Sequence, residues 1–131
     1  MGYCMNMRES NFTILKENKT KALKLLKKHV SGCERLSWVD CKTIIEAKTL
    51  HDALDECRYE IEEDNNGNVS EIYFNGEKLG DDEMILNAIA PAVSDGSYIE
   101  MLGEDGSLWR WVFNNGKCKE ICPKINWIDF E

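Results

Sequence analysis

Apolar and polar residues change their spacing repeatedly along this chain, and each change marks an element. In NFTIL (11–15), Phe12 and Ile14 alternate with polar neighbours, which predicts a short half-buried strand. From about Lys21 to His29 the spacing becomes helical. Ala22, Leu23, Leu25, Leu26 and Val30 form one face and lysines fill the other. Asn18 or Thr20 can cap this helix, and Ser31-Gly32 ends it. LSWVD (36–40) reads as a strand carrying Trp38, whereas KTIIEAK fits neither period because Ile44 and Ile45 are adjacent. In TLHDALDECR, Leu50, Ala53, Leu54 and Cys57 fall at i, i+3, i+4 and i+7 behind a Thr49/Asp52 capping box.

After Tyr59 the period drops to two. YEIEED, the turn Asn65-Asn66-Gly67-Asn68 and VSEIYFN predict a hairpin, because Asn and Gly accept the positive φ its turn requires. Asn75-Gly76 reads as a second turn, and the acidic Gly80-Asp81-Asp82-Glu83 opens a helix through MILNAIAPAV that Pro91 distorts or finishes. SYIEML, SLWRWVF and KCKEI then form a meander around the turns Gly103-Glu104-Asp105-Gly106 and Asn114-Asn115-Gly116. Alternation puts Trp109, Trp111 and Phe113 on one face, Leu108, Arg110 and Val112 on the other, and Arg110 within reach of Glu100. The pattern predicts a single α+β domain over 1–131 with a mostly antiparallel sheet, a hairpin plus a C-terminal three-stranded meander, packed with about three helices. Residues 1–10 and 123–131 read as loose termini, although Trp127 and Phe130 could also pack back onto the sheet.

Composition changes this picture little, and charge changes it more. With 43% hydrophobic and 31% charged residues, the 131-residue chain has the balance of a folded domain. No apolar run approaches the roughly 18 residues a membrane span needs, and MGYCMNMRES has neither a secretory signal's apolar core nor, at Asn6, the hydroxyl residue of a myristoylation signal. The expected location is a bacterial cytoplasm. Between Glu46 and Asp105, seventeen Asp or Glu face only Lys48, Arg58 and Lys78; from Lys16 to Arg35, six Lys and one Arg face Glu17 and Glu34. A pI near 4.8 disfavours direct nucleic-acid binding, because phosphates would meet a negative surface. It suits the opposite relationship, in which the protein stands where a nucleic acid would.

Candidate chemistry is sparse. His29 and His51 are the only histidines, and no nucleophile setting accompanies them, so the expectation is a protein that is not an enzyme. Cysteines stand at 4, 33, 41, 57, 118 and 122; without a signal peptide they read as reduced thiols, Cys57 as a packed one. Cys118-x3-Cys122 and His29-x3-Cys33 lack zinc-knuckle spacing, and residues four apart on a strand sit about 13 Å from one another. DNNGN (64–68) is a turn rather than a calcium loop, and no phosphate-binding glycine motif occurs. Neither a metal nor a cofactor is expected.

What remains is surface. Glu62, Glu63, Asp64, Glu71, Asp81, Asp82 and Glu83 are the candidate partner-binding residues, forming an acidic ridge that would enter an Arg/Lys-rich groove. Trp109, Trp111 and Phe113, together with Lys24, Lys27 and Lys28, form a secondary candidate; the aromatic face is either core or an interface anchor, and the lysines either a solvated face or a docking site. GYCMNM ahead of NFTI, SWVD, TLHDALDECRYEIEEDNNGNV, FNGEKLGDDE, NAIAPAV and GSYIEMLGEDGSLWRWVF resemble a family of small acidic proteins of Firmicutes, their phages and mobile elements. The likeness spans nearly the whole chain, which implies one domain, but the family brings no established activity or site residue. Short acidic proteins of mobile elements do include inhibitors of host defence nucleases, an analogy of habit rather than of site. The leading expectation is therefore an anti-defence (anti-CRISPR-like) inhibitor of a nucleic-acid-guided nuclease. The alternatives are an immunity or antitoxin protein that neutralises a basic toxin, a self-associating homo-oligomer, and a small-ligand protein.

Overall fold

A computed structural model describes residues 2–32 and 36–129 of the chain; Met1, Cys33, Glu34, Arg35, Phe130 and Glu131 lie outside the described residues. The domain is α+β. Strands β1 (Met5–Asn11), β4 (Tyr98–Gly103), β5 (Leu108–Asn114) and β6 (Lys117–Ile121) form an antiparallel sheet in the order β1-β4-β5-β6. β2 (Tyr59–Glu63) and β3 (Val69–Phe74) form a separate antiparallel hairpin. The helices are α1 (Lys19–Ser31), α2 (Cys41–Glu46), α3 (Leu50–Glu56) and α4 (Asp82–Ile89), with short 3₁₀ turns at Lys16–Asn18 and Ala90–Ala92.

One core joins these elements. The inner faces of β4 and β5 contribute Ile99, Met101, Trp109, Trp111 and Phe113, and the helices cover them with Ala22, Leu26, Val30, Ile85, Leu86 and Ile89. Phe12 meets Phe113 edge to face at 5.6 Å, and Trp109 meets Trp111 the same way at 5.8 Å. This settles the aromatic alternation: Trp109, Trp111 and Phe113 are core residues, almost without exposed surface, and no interface anchor. The β5–β6 turn is a tight one, with Asn115 and Gly116 both at positive φ (53° and 73°), as its two-residue loop demands. In α3 the Thr49 hydroxyl accepts the Asp52 N–H, the forward half of the expected capping box.

Several expectations are corrected. Residues 5–10 are not loose, because β1 pairs with β4 along its length. The strand expected at NFTIL lies one element earlier. Phe12 and Ile14 follow β1 as buried plugs, and Ile14 bridges to Val69 of the hairpin. LSWVD is no strand; Leu36 and Val39 form an isolated bridge around a turn in which Trp38 takes φ 66° and stays exposed. KTIIEAK contributes α2, capped by Asp40, whose carboxylate accepts the Lys42 N–H. After Asn75-Gly76 the chain runs to a bridge between Lys78 and Cys4 before α4 begins. From Cys122 to Asp129 it has no regular structure and every residue is exposed.

Candidate interaction surface

The seven acidic residues expected to form one ridge are separated into three environments. Asp82, first residue of α4, is buried. Arg58 donates to both its oxygens (3.1 and 3.4 Å), the Tyr59 hydroxyl donates at 2.8 Å and the Gly80 N–H at 2.7 Å. Arg58 sits at φ 73°, donates also to the Lys78 carbonyl at 2.5 Å and stacks on Phe74. Burial, and then the Asp82 carboxylate, push the Tyr59 hydroxyl well above its ordinary pKa. Asp82 thus holds the fold and cannot touch a partner.

Glu63, Asp64 and Asp81 are bound internally. Lys19 reaches Glu63 Oε2 at 2.5 Å, with His51 Nδ1 at 4.0 Å, and the lysine holds the Glu63 carboxyl below its usual range. Asp64 folds the hairpin turn on itself by accepting from the backbone of Asn66 (2.8 Å) and Asn68 (3.0 Å), which lowers its pKa. Asp81 accepts the Ser37 N–H at 2.7 Å. It lines, with Glu83 and Glu120, a hollow of about 210 Å³ between α4 and β6.

The outer face of the β2–β3 hairpin is different. Register places Glu62 directly opposite Glu71 and Glu60 opposite Tyr73, all four exposed. Among the described residues no cation lies within ion-pairing distance of Glu60, Glu62 or Glu71. The Tyr73 hydroxyl donates to Glu71 Oε2 at 2.6 Å. That bond lowers the Glu71 pKa, and donating it pushes the Tyr73 hydroxyl up to about 12. Glu62, held against Glu71, has its carboxyl raised. Like charges directly opposed across two strands destabilise the free protein. Sequence reasoning left both Glu60 and Tyr73 out of the binding residues. The hairpin register is the signal that would have brought these four together.

The basic pole is α1, where Lys24 and Lys28 face solvent and Lys27 is half-buried. On the outer face of the large sheet, charges are matched instead. Arg110 donates to Glu100 at 2.8 Å, as its cross-strand register predicts, reaches Glu9 at 3.5 Å and stacks on Tyr98. Cys57 and Cys118 are buried, while Cys122 is exposed. Among the described residues no three His, Cys, Asp or Glu converge as metal ligands, and no helix is long and apolar enough to cross a membrane. No protein-family model, curated protein or solved structure matches the chain.

Proposed function

We propose that this protein acts without chemistry of its own, by laying the outer face of the β2–β3 hairpin against a basic surface of a protein partner. The supporting observation is the opposed pair Glu62–Glu71, flanked by Glu60, with no neighbouring cation among the described residues. The other carboxylates close to a cation have it as a partner: Glu63 has Lys19, Asp82 has Arg58 and Glu100 has Arg110. A cation brought by a partner relieves the Glu62–Glu71 repulsion and meets little opposing desolvation on an exposed strand face. Long-range attraction from the acidic middle of the chain speeds the encounter, and salt slows it.

The partner class that fits is a nuclease that holds nucleic acid in an Arg/Lys-lined channel. A guide-dependent nuclease presents such a channel and grips the heteroduplex by its backbone. Occupying it would block substrate, while the same face would repel free nucleic acid. The test is cleavage by a panel of guide-loaded nucleases, with wild type and the triple variant Glu60→Lys/Glu62→Lys/Glu71→Lys, at low salt and at about 0.5 M. Wild-type inhibition at low salt, weakened at least about tenfold by the variant and by salt, supports the reading. Equal inhibition by a folded triple variant, or no inhibition anywhere in the panel at low salt, sinks it.

A further inference from the structure

We propose that two copies of this chain associate through the free edge of β6 and exchange their C-terminal segments, each segment 123–129 docking against the other copy. In the single chain, Ile125, Trp127 and Ile128 are 80%, 91% and 94% exposed. Three such large, exposed apolar side chains in seven residues form a surface that soluble monomers rarely present.

The sheet indicates what covers them. Its β1 edge is closed: the Met5 N–H donates to the Glu77 carbonyl at 2.9 Å, Lys78 bridges to Cys4, and the Ser10 hydroxyl donates to the Ile72 carbonyl. Its β6 edge is open. Pairing of Lys117 with Asn114 across the two-residue turn directs the backbone groups of Lys117, Lys119 and Ile121 toward β5, leaving those of Cys118 and Glu120 pointing outward. Asn87 occupies the Cys118 N–H at 3.1 Å, so the open stretch begins at Glu120 and runs into the exposed segment. An unpaired edge of this kind is a template for another strand.

Two β6 edges pair antiparallel about a two-fold axis, and such a contact closes at the dimer. Centred on Ile121, which is about half exposed, the pairing opposes Glu120 to Cys122 of the second copy. Pro123, which has no N–H to give, then faces away from the partner strand. Each segment 123–129 is thereby led past Lys119 and Lys117 of the second copy. Beside those lysines lies a hollow of about 260 Å³, lined by Val112, Asn114, Asn115, Lys117, Lys119 and Ile121. Its cationic rim complements Asp129, and its Val112 and Ile121 walls suit Trp127 and Ile128.

Sedimentation equilibrium of the full chain in excess reductant tests this, since reductant removes any disulfide through the exposed Cys122. The comparison is Ile125→Ser/Trp127→Ser/Ile128→Ser, whose altered side chains are largely exposed in the monomer. The expected result is a wild-type dimer of two chains and no larger species. The variant should show a dissociation constant raised at least about 30-fold, as loss of a tryptophan anchor implies. A wild type still monomeric at about 100 μM, a level at which weak dimers assemble, overturns the proposal. So does a variant that dimerises as tightly as wild type. Neither result bears on the acidic hairpin, whose triple variant should sediment like wild type.

Discussion

Asp82 separates what a carboxylate does for this fold from what one could do for a partner. Replacing it with Asn keeps the volume but removes the charge that Arg58 pairs with, and turns one acceptor oxygen into a donor facing the Tyr59 hydroxyl. Arg58 would remain beneath Phe74 as a largely buried, unpaired cation, with its Nε already lacking a partner. Breaking a buried pair by removing one member costs about 3–5 kcal/mol; the bond that Asn can still accept from the Gly80 N–H places the cost near 3. With an unfolding entropy of about 2.1 cal/mol/K per residue, 131 residues give about 0.28 kcal/mol/K, so 3 kcal/mol lowers Tm by about 11 °C. Calorimetry or a circular-dichroism melt reads this directly. A fall of less than about 2 °C would mean that the Arg58–Asp82 pair does not form, and would return Asp82 to the surface. In the cleavage assay, Asp82→Asn should inhibit like wild type per folded molecule.

Glu62→Gln should do the opposite, raising Tm by about 1–3 °C at pH 7, since it removes a like charge opposite Glu71 and supplies an amide donor to it. The raised Glu62 carboxyl loses stability for the protein as pH rises from the ordinary carboxylate value through the raised one. The variant's advantage should therefore vanish below about pH 4. An advantage that persists at pH 3 would refute repulsion as its cause. Glu63 and Asp64 have lowered values, so their stabilisation is present above the ordinary carboxylate range and lost as pH falls through the lowered values; acid should unfold the protein for that reason. Burial pushes the Cys57 and Cys118 thiols up to about 12, and exposed Cys122 should react promptly with a thiol reagent at pH 8 while those two wait on unfolding. Mass mapping that finds Cys118 modified as fast as Cys122 would contradict the packing of β6 against α4.

Elements with a strong period were legible in the sequence. α1, α3, the β2–β3 hairpin and the β4–β5–β6 meander follow from spacing and turn residues, because each buries one clean stripe against the core. β1 was hidden for the converse reason. It is an edge strand whose inner face carries Met5 and Met7 before a bulge at Arg8 breaks the alternation, so MNMRESN looks polar. Trp38 misled because a large aromatic among apolar residues suggests a strand, whereas here it occupies a left-handed turn and packs over Lys78. Asp82 misled in the same way. An acidic residue in the first turn of a helix is explained by the helix dipole alone, and nothing in the spacing announces that Arg58, 24 positions earlier, will meet it in the core.

The acidic character of the chain is therefore two properties with one composition. Asp64, Asp81 and Asp82 fix turns and helix starts by accepting backbone or buried donors, and Glu63 and Glu100 pair with Lys19 and Arg110. Reversing those charges would disturb the domain before it disturbed any complex. Among the described residues, Glu60, Glu62 and Glu71 accept from no backbone group and pair with no cation, and two of them repel each other across a strand register that the core residues Ile61 and Ile72 hold in place. A domain selected for stability alone gains by neutralising either member of that pair. Retaining both makes sense where the repulsion is relieved on binding, because the relief adds to affinity only in the complex. The stability of Glu62→Gln and its inhibition should accordingly move in opposite directions, and a variant that gained both would remove the reason for placing the partner on this face.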